Sequence, residues 1–251
     1  MARGWIRPGS QEEEVGRLVI AGAVVVLVPG LPFGNWLIYP FVILTTWFHE
    51  MGHGLTALLM GYDFERLVLL ADGSGFAQSS YRGKASAWSR ALISAGGPLG
   101  PSIVGSLLIL ASSRRKYWRP TLFTLAGIMA ISTLIWVRSP VGFIVIPALA
   151  GGIVLLGLKA RDAFVRFGLQ FLGVLAALSM FRDWDYLFSE SAVIGGQVLL
   201  SDTGAIEEAL FLPHWVWAIL IILASGLMIG ASLKYALAHK PTNARWPGSV
   251  R

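Results

Sequence analysis

The 251-residue sequence contains no cysteine and few charged residues. Without cysteine the chain forms no disulfide and holds no metal through thiolates, so a metal site must use histidine and carboxylate ligands. Charged residues make up 14% of the chain, against about 25% in a typical soluble domain. Hydrophobic residues make up 55%, and the mean hydropathy is +0.66. This composition excludes an ordinary soluble domain and indicates a multi-pass membrane protein.

The formal net charge is +6 at pH 7. In a soluble protein this excess would suggest nucleic-acid binding, but in a membrane protein lysine and arginine accumulate in cytoplasmic loops. The basic residues cluster at 114–119, at 159–161 and in the C-terminal tail. An even number of predicted spans separates these regions, which places them on one side. We therefore expect the protein to interact with the lipid bilayer and not with nucleic acid.

Several apolar stretches have the length that a bilayer-crossing helix needs. The six clear ones are residues 36–60, 87–111, 120–137, 140–158, 163–181 and 213–235. A shorter stretch, 18–29, fits a signal-peptide core, a half-span or a full span that continues to residue 33. The sequence thus predicts an all-α polytopic membrane protein with six to seven transmembrane helices. One integral-membrane domain covers 1–251, with its core at about 36–235, a polar arm at 1–17 and a basic tail at 236–251.

Residues 67–80 differ in character from the predicted spans. Leu67-Val68-Leu69-Leu70 is followed by the turn-forming run Asp72-Gly73-Ser74-Gly75. The pattern predicts a small β-hairpin at the membrane edge. Such a hairpin either pairs with an extended substrate as an added strand or is a plain surface feature.

The most informative pattern is His49-Glu50-Met51-Gly52-His53, inside the predicted span 36–60. Residues four apart share a helix face, so His49 and His53 can bind one metal ion, with Glu50 as general base. The chain has only four histidines, and two lie in this motif. Polar residues in a membrane segment are costly and usually functional. The alternative is three polar residues satisfied inside a helix bundle.

Two histidines do not complete a catalytic zinc site, which normally has three protein ligands. The remaining candidates lie at segment ends: Asp72, Asp162, Asp183, Asp185, Asp202 and His214. Asp183, with Asp185 as the alternative, is favoured because it ends a span and has aromatic neighbours. Both also fit ordinary interfacial residues, with Trp184 and Tyr186 as an aromatic belt. Asp202 and His214 fit better as a helix N-cap and an interfacial residue.

The run Ser94-Ala95-Gly96-Gly97-Pro98 interrupts the predicted span 87–111 with small residues and a proline. Small residues let helices approach closely, and proline bends a helix. The run either serves packing or shapes a polar cleft in the bundle.

The segment from Phe48 to Gly54 resembles the motif helix of the site-2 protease family of intramembrane zinc metalloproteases. The chain resembles in particular a compact bacterial branch related to the sporulation-factor proteases. The Ser94–Pro98 run is similar to a small-residue motif of that family, and Ser201-Asp202-Thr203 with residues 212–217 is similar to the same branch. The resemblance covers about residues 36–235.

The resemblance implies a zinc (Zn²⁺) protease of the bacterial cell membrane that cleaves transmembrane protein substrates. It implies that His49 and His53 bind zinc, that an aspartate from a later core helix completes the site, and that Glu50 activates water. Neither favoured aspartate stands in the Asp-Gly motif that carries the third ligand in the family, because Asp183 precedes Trp184 and Asp185 precedes Tyr186. This departure leaves one alternative, an inactive relative that acts as a membrane scaffold or metal-binding membrane protein.

Overall fold

The computed structural model describes residues 11–81, 83 and 85–238. Most of the predicted polar arm at 1–17 and most of the predicted basic tail at 236–251 lie outside the described residues. The described chain is mostly helical, and two small antiparallel hairpins complete it. The prediction of a helical membrane protein with a small hairpin is confirmed.

The elements follow one another along the chain as helices interrupted twice by hairpins. They are α1 (Gln11–Leu27), α2 (Gly34–Leu59), β1 (Asp63–Leu69), β2 (Gly75–Ser80), α3 (Ala87–Ser112), α4 (Arg115–Ile135), α5 (Pro140–Lys159), α6 (Asp162–Arg182), α7 (Trp184–Leu187), β3 (Ser191–Ile194), β4 (Gln197–Leu200), α8 (Asp202–Leu210) and α9 (His214–Ala238). A short 3₁₀ turn, Val28–Gly30, joins α1 to α2.

Five of the described helices, α3, α4, α5, α6 and α9, are long and apolar enough to cross a membrane. Helix α2 has 26 residues, which is long enough, but its polar motif residues lower its hydropathy. Helix α1 has 17 residues and corresponds to the stretch that was ambiguous in the sequence. The chain is an integral membrane protein, and the number of six to seven spans stays a prediction.

Helix α3 lies at the centre of the bundle, packed against α2, α6, α8 and α9. Glycines make these contacts close. A Cβ atom at Gly100 would lie 2.7 Å from the Phe48 carbonyl oxygen on α2, and one at Gly105 would lie 2.8 Å from the Gly173 carbonyl oxygen on α6. Both distances are too short for a side chain, so only glycine permits this approach. The close packing fixes α2, and therefore the motif, against α3.

One end of the bundle carries the clustered basic residues. Arg119 donates to the Ala160 carbonyl oxygen at 3.1 Å and to Asp162 at 2.9 Å, and Arg114 donates to the Tyr235 hydroxyl at 2.7 Å. These contacts join the ends of α4, α6 and α9. The predicted placement of residues 114–119 and 159–161 on one side agrees with this geometry.

The first hairpin begins four residues earlier than the pattern at 67–80 predicts. Strand β1 pairs with β2 on one edge, and on its other edge the backbone of Leu67 bonds to Trp136 and Arg138. Strand β2 has no described strand on its outer edge. The second hairpin, β3–β4, is not predicted from the sequence, and its turn is Gly195-Gly196 with positive φ at both residues.

Candidate metal centre

The two motif histidines lie on one face of α2, and their rings meet edge-to-face. The Nε2 atoms of His49 and His53 are 3.2 Å apart, and the ring centroids are 4.9 Å apart. This arrangement follows from the four-residue spacing, which places both side chains one above the other on a helix. The predicted pairing of His49 with His53 is therefore present in the structure.

The orientation of His53 is fixed from the neighbouring helix. Its Nδ1 lies 2.7 Å from the carbonyl oxygen of Ile93 on α3. A carbonyl oxygen only accepts, so Nδ1 carries the proton and the Nε2 lone pair is left free to bind a metal. A second hydrogen bond of this kind is the usual support for a metal-binding histidine.

The carboxylate that meets both histidines belongs to Asp202. Its Oδ2 lies 3.0 Å from His49 Nε2, and its Oδ1 lies 3.1 Å from His53 Nε2. Asp202 is the first residue of α8 and is 7% exposed. Ser201 caps this helix by accepting a hydrogen bond from the Gly204 amide at 3.0 Å, which is the preferred role of serine before a helix. The cap fixes where α8 begins and so where Asp202 lies.

These three side chains fit a metal ion. One ligand atom from each of His49, His53 and Asp202 lies within 4.8 Å of the other two. Asp202 Oδ2 is buried and, although it lies near His49, has no hydrogen bond of acceptable geometry. A buried carboxylate oxygen without such a bond is costly, and a shared cation would satisfy it. Two nitrogens and one carboxylate form a donor set that suits zinc and leaves a fourth position open.

The structure does not place the favoured aspartates, Asp183 and Asp185, in this group. Asp183 directly follows α6, its carbonyl oxygen accepts a hydrogen bond from the Leu187 amide at 3.0 Å, and it lines the cavity beside the histidines. Asp185 lies in the short helix α7 and is exposed. After α6 the chain passes through α7 and the hairpin β3–β4 before α8 begins at Asp202 beside the histidines.

The other candidates at segment ends have different partners. His214 Nδ1 bonds to Glu207 at 2.8 Å, Asp162 bonds to Arg119, and Asp72 accepts from Ser74 at the first hairpin turn. Hydrogen bonds from Ser74 hold the pKa of Asp72 below its usual value. None of these three belongs to the group formed by His49, His53 and Asp202.

Glu50 is buried next to the first hairpin. The side chain is 6% exposed, and the backbone N–H of Ala77 on β2 hydrogen-bonds its carboxylate. Because Leu67, the partner of Ala77, bonds away from β2, the Ala77 N–H belongs to the outer edge of the hairpin. The hairpin therefore touches the motif directly, and pairing of a substrate with this edge stays a prediction.

A cavity of about 630 Å³ contains these groups. Its lining includes the three possible ligands, Glu50, both hairpins and the charged residues Arg90 and Glu208. This volume is within the range of small-molecule and peptide-side-chain pockets. The cavity gives water and a peptide segment room beside the histidines.

Tyr186 on α7 forms another part of the wall. Its ring lies edge-to-face against His49 with 6.3 Å between centroids, and its hydroxyl accepts a hydrogen bond from the backbone N–H of Asp202. Burial, together with the charges of Asp202 and Glu50, raises the pKa of Tyr186, so the phenol stays protonated at neutral pH. The sequence indicates Tyr186 only as part of a possible interfacial aromatic belt, and it does not predict the contact with His49.

Gly97 explains why small residues interrupt α3 at this level. A Cβ atom at Gly97 would overlap His53 Nε2 and would lie 2.8 Å from His49 Nε2. A Cβ atom at Gly96 would lie 2.8 Å from the Gly52 carbonyl oxygen. The run therefore serves both helix packing, through Gly96, and the space around the histidines, through Gly97.

We expect Gly97→Ala to lose metal binding, because the added methyl group must displace both imidazole nitrogens. The measurement is elemental mass spectrometry on detergent-purified protein supplied with zinc. Gly127→Ala is the matched control, since a Cβ atom at Gly127 meets nothing within 4 Å. A Gly97→Ala protein that folds and holds as much zinc as the control would contradict the geometry described for this site.

Comparison with known proteins identifies a family for this chain. Neither the curated proteins nor the solved structures contain a match to this chain. The family model described as Peptidase M50B-like matches residues 17–232, which include the H-E-x-x-H motif, both hairpins and Asp202. With its motif histidines and a carboxylate gathered in one cavity of a helical membrane bundle, the chain belongs to the Peptidase M50B-like family, that is, to the site-2 protease family.

Proposed function

We propose that this protein is an intramembrane zinc metalloprotease that hydrolyses peptide bonds of membrane-embedded or membrane-adjacent proteins. The observation that carries the proposal is the convergence of His49, His53 and Asp202 around one point, with Glu50 beside them. The family membership supports peptidase activity. In this assignment Asp202 takes the role of third ligand.

Zinc, when bound, supplies Lewis-acid chemistry, since it polarises a carbonyl and lowers the pKa of water. The chain's own residues supply the rest. Glu50 takes a proton from the attacking water and later delivers it to the nitrogen of the leaving amine. The Ala77 N–H holds the Glu50 carboxylate in place. Ile93 keeps His53 in the tautomer that binds metal.

The cavity also supports a hydrophobic peptide as substrate. The second hairpin, β3–β4, exposes apolar side chains: Val193 is 69% exposed and Val198 is 73% exposed. Val193 also lines the cavity. A transmembrane helix would have to unwind to bring a peptide bond to Glu50. The outer edge of β2 offers backbone groups to such an extended segment, which is one of the two roles that the sequence allows for this hairpin.

An inactive scaffold is less consistent with this arrangement. A scaffold does not need a general base beside a three-ligand site, and it does not need the Ala77 N–H to orient that base. Transport of metal would require further polar residues along a route through the spans. Among the described residues, His49, His53 and Asp202 form the one group that could hold a metal.

The test is zinc content and peptide cleavage in detergent-purified protein. We expect about one zinc per chain in the wild type, measured by elemental mass spectrometry, and its loss in His53→Ala. His214→Ala is the matched control because His214 bonds to Glu207 away from the cavity. A wild type that binds no supplied zinc would refute the proposal and favour an inactive relative.

A further inference from the structure

Tyr186 lies on the wall of the cavity that contains the three possible ligands and Glu50. Its ring packs edge-to-face on His49, and its hydroxyl meets the first backbone amide of α8 at Asp202. The charge of Glu50 also acts on this hydroxyl. Tyr186 therefore lies near two possible ligands and the general base, on the wall of the same cavity.

The hydroxyl of Tyr186 is available as a donor. Its oxygen accepts a hydrogen bond from the Asp202 N–H. A backbone N–H only donates, so the phenolic O–H is not used in this bond and can donate to another acceptor. Two other hydroxyls that line the cavity are already used as donors. Thr46 donates to the Gly73 carbonyl oxygen at 2.6 Å, and Ser74 donates to Asp72 at 2.7 Å.

The element that carries Tyr186 is held firmly to the element that carries Asp202. Thr203 on α8 donates to the Leu187 carbonyl oxygen at 2.7 Å, and the Ser201 amide donates to the Glu190 carbonyl oxygen at 2.9 Å. These bonds fix α7 against the start of α8. A donor held in this way costs little reorganisation when charge develops on a nearby oxygen.

We propose that Tyr186 is a catalytic residue whose hydroxyl donates a hydrogen bond to the carbonyl oxygen of the scissile peptide as that oxygen becomes negatively charged. This inference rests on the proposed function. The water oxygen bonds to the carbonyl carbon, and its proton goes to Glu50. The C–N bond then breaks, and the proton passes to the amine. Tyr186 keeps its own proton throughout, so no further reactant is needed.

Tyr186→Phe separates this role from a purely structural one, because it removes the hydroxyl and keeps the ring against His49. We expect kcat to fall by about 10²-fold, as for loss of one such donor elsewhere. KM should change by no more than about twofold and zinc content should be unchanged, because uniform binding is not altered. Tyr62→Phe is the matched control, since Tyr62 lines the same cavity but packs against Tyr81.

A second readout does not depend on turnover. A phosphinic peptide presents a tetrahedral, negatively charged group to the zinc-loaded protein, and its Kd can be measured by titration calorimetry in detergent. We expect Tyr186→Phe to weaken this binding by more than roughly 10-fold, while Tyr62→Phe leaves it within about twofold.

Each outcome decides the inference. Unchanged kcat and unchanged phosphinic-peptide affinity in Tyr186→Phe would overturn it. Loss of zinc in proportion to loss of activity would also overturn it, because Tyr186 would then only position Asp202. If the zinc-loaded wild type binds the phosphinic peptide but cleaves nothing, the proposed function fails, and the calorimetric comparison still tests Tyr186. A wild type without zinc overturns both proposals.

Discussion

Glu50→Gln is expected to abolish peptide hydrolysis while the protein keeps its zinc. The amide has nearly the same shape as the carboxylate, and its oxygen can still accept the Ala77 N–H that the structure places on Glu50. It cannot take a proton from water at neutral pH. General-base catalysis contributes roughly 10² to 10⁴ in rate, so we expect at least that loss in kcat. The measurement is cleavage of a transmembrane peptide in detergent or vesicles, with zinc content determined on the same preparation.

Glu208→Gln provides the matched control for this substitution. Glu208 lines the same cavity but is exposed, whereas Glu50 is 6% exposed. We expect Glu208→Gln to keep kcat within a few-fold of the wild-type value. Activity of Glu50→Gln close to that of this control would show that another group activates the water, and the proposed mechanism would have to be abandoned.

Asp202→Asn is expected to cost the protein its zinc. An amide oxygen carries no charge, so two histidines would be left as the only strong ligands. Loss of an outer partner of a metal ligand already weakens binding by roughly 10- to 100-fold, and loss of the ligand itself should exceed that. Elemental mass spectrometry after dialysis against a weak chelator measures the difference. Asp202 is 7% exposed, so the substitution acts at a buried ligand position.

Asp183→Asn is the direct comparison for Asp202→Asn. Asp183 lines the cavity, but it is outside the group of three possible ligands. We expect Asp183→Asn to keep about one zinc per chain. The reverse result, with zinc lost from Asp183→Asn and retained in Asp202→Asn, would restore the assignment that the sequence favoured and would refute the site geometry.

Much of the helical framework is visible in the sequence because a long apolar run has few alternatives in a bilayer. The helices found at residues 87–112, 140–159 and 214–238 differ from the predicted stretches by at most a few residues. Helix α4 differs more, since it begins at Arg115 and the predicted stretch begins at 120. Hydropathy counts only the apolar part of a helix, and the first turn of α4 is basic and aromatic.

The second hairpin could have been found from its turn. Gly195-Gly196 separates two short apolar stretches, Ala192–Ile194 and Val198–Leu200, and both glycines have the positive φ that a tight hairpin turn requires. Each strand has only four residues, so an alternation of apolar and polar side chains is too short to be recognised within the acidic segment around it. The missed hairpin matters because it carries the chain back to the histidines.

The sequence alone determined that the protein resides in a membrane and that His49, Glu50 and His53 share one helical segment. Both follow from local physics, since hydropathy sets membrane insertion and the helical repeat sets the i, i+4 face. Only the tertiary structure decided that Asp202 completes the group, that Tyr186 stands beside it and that Gly97 leaves it room. Those contacts join α2, α3, α7 and α8, and they depend on how the chain returns after α6. Local propensity does not determine the path of the chain from α6 to α8, because that path depends on how the helices pack against one another.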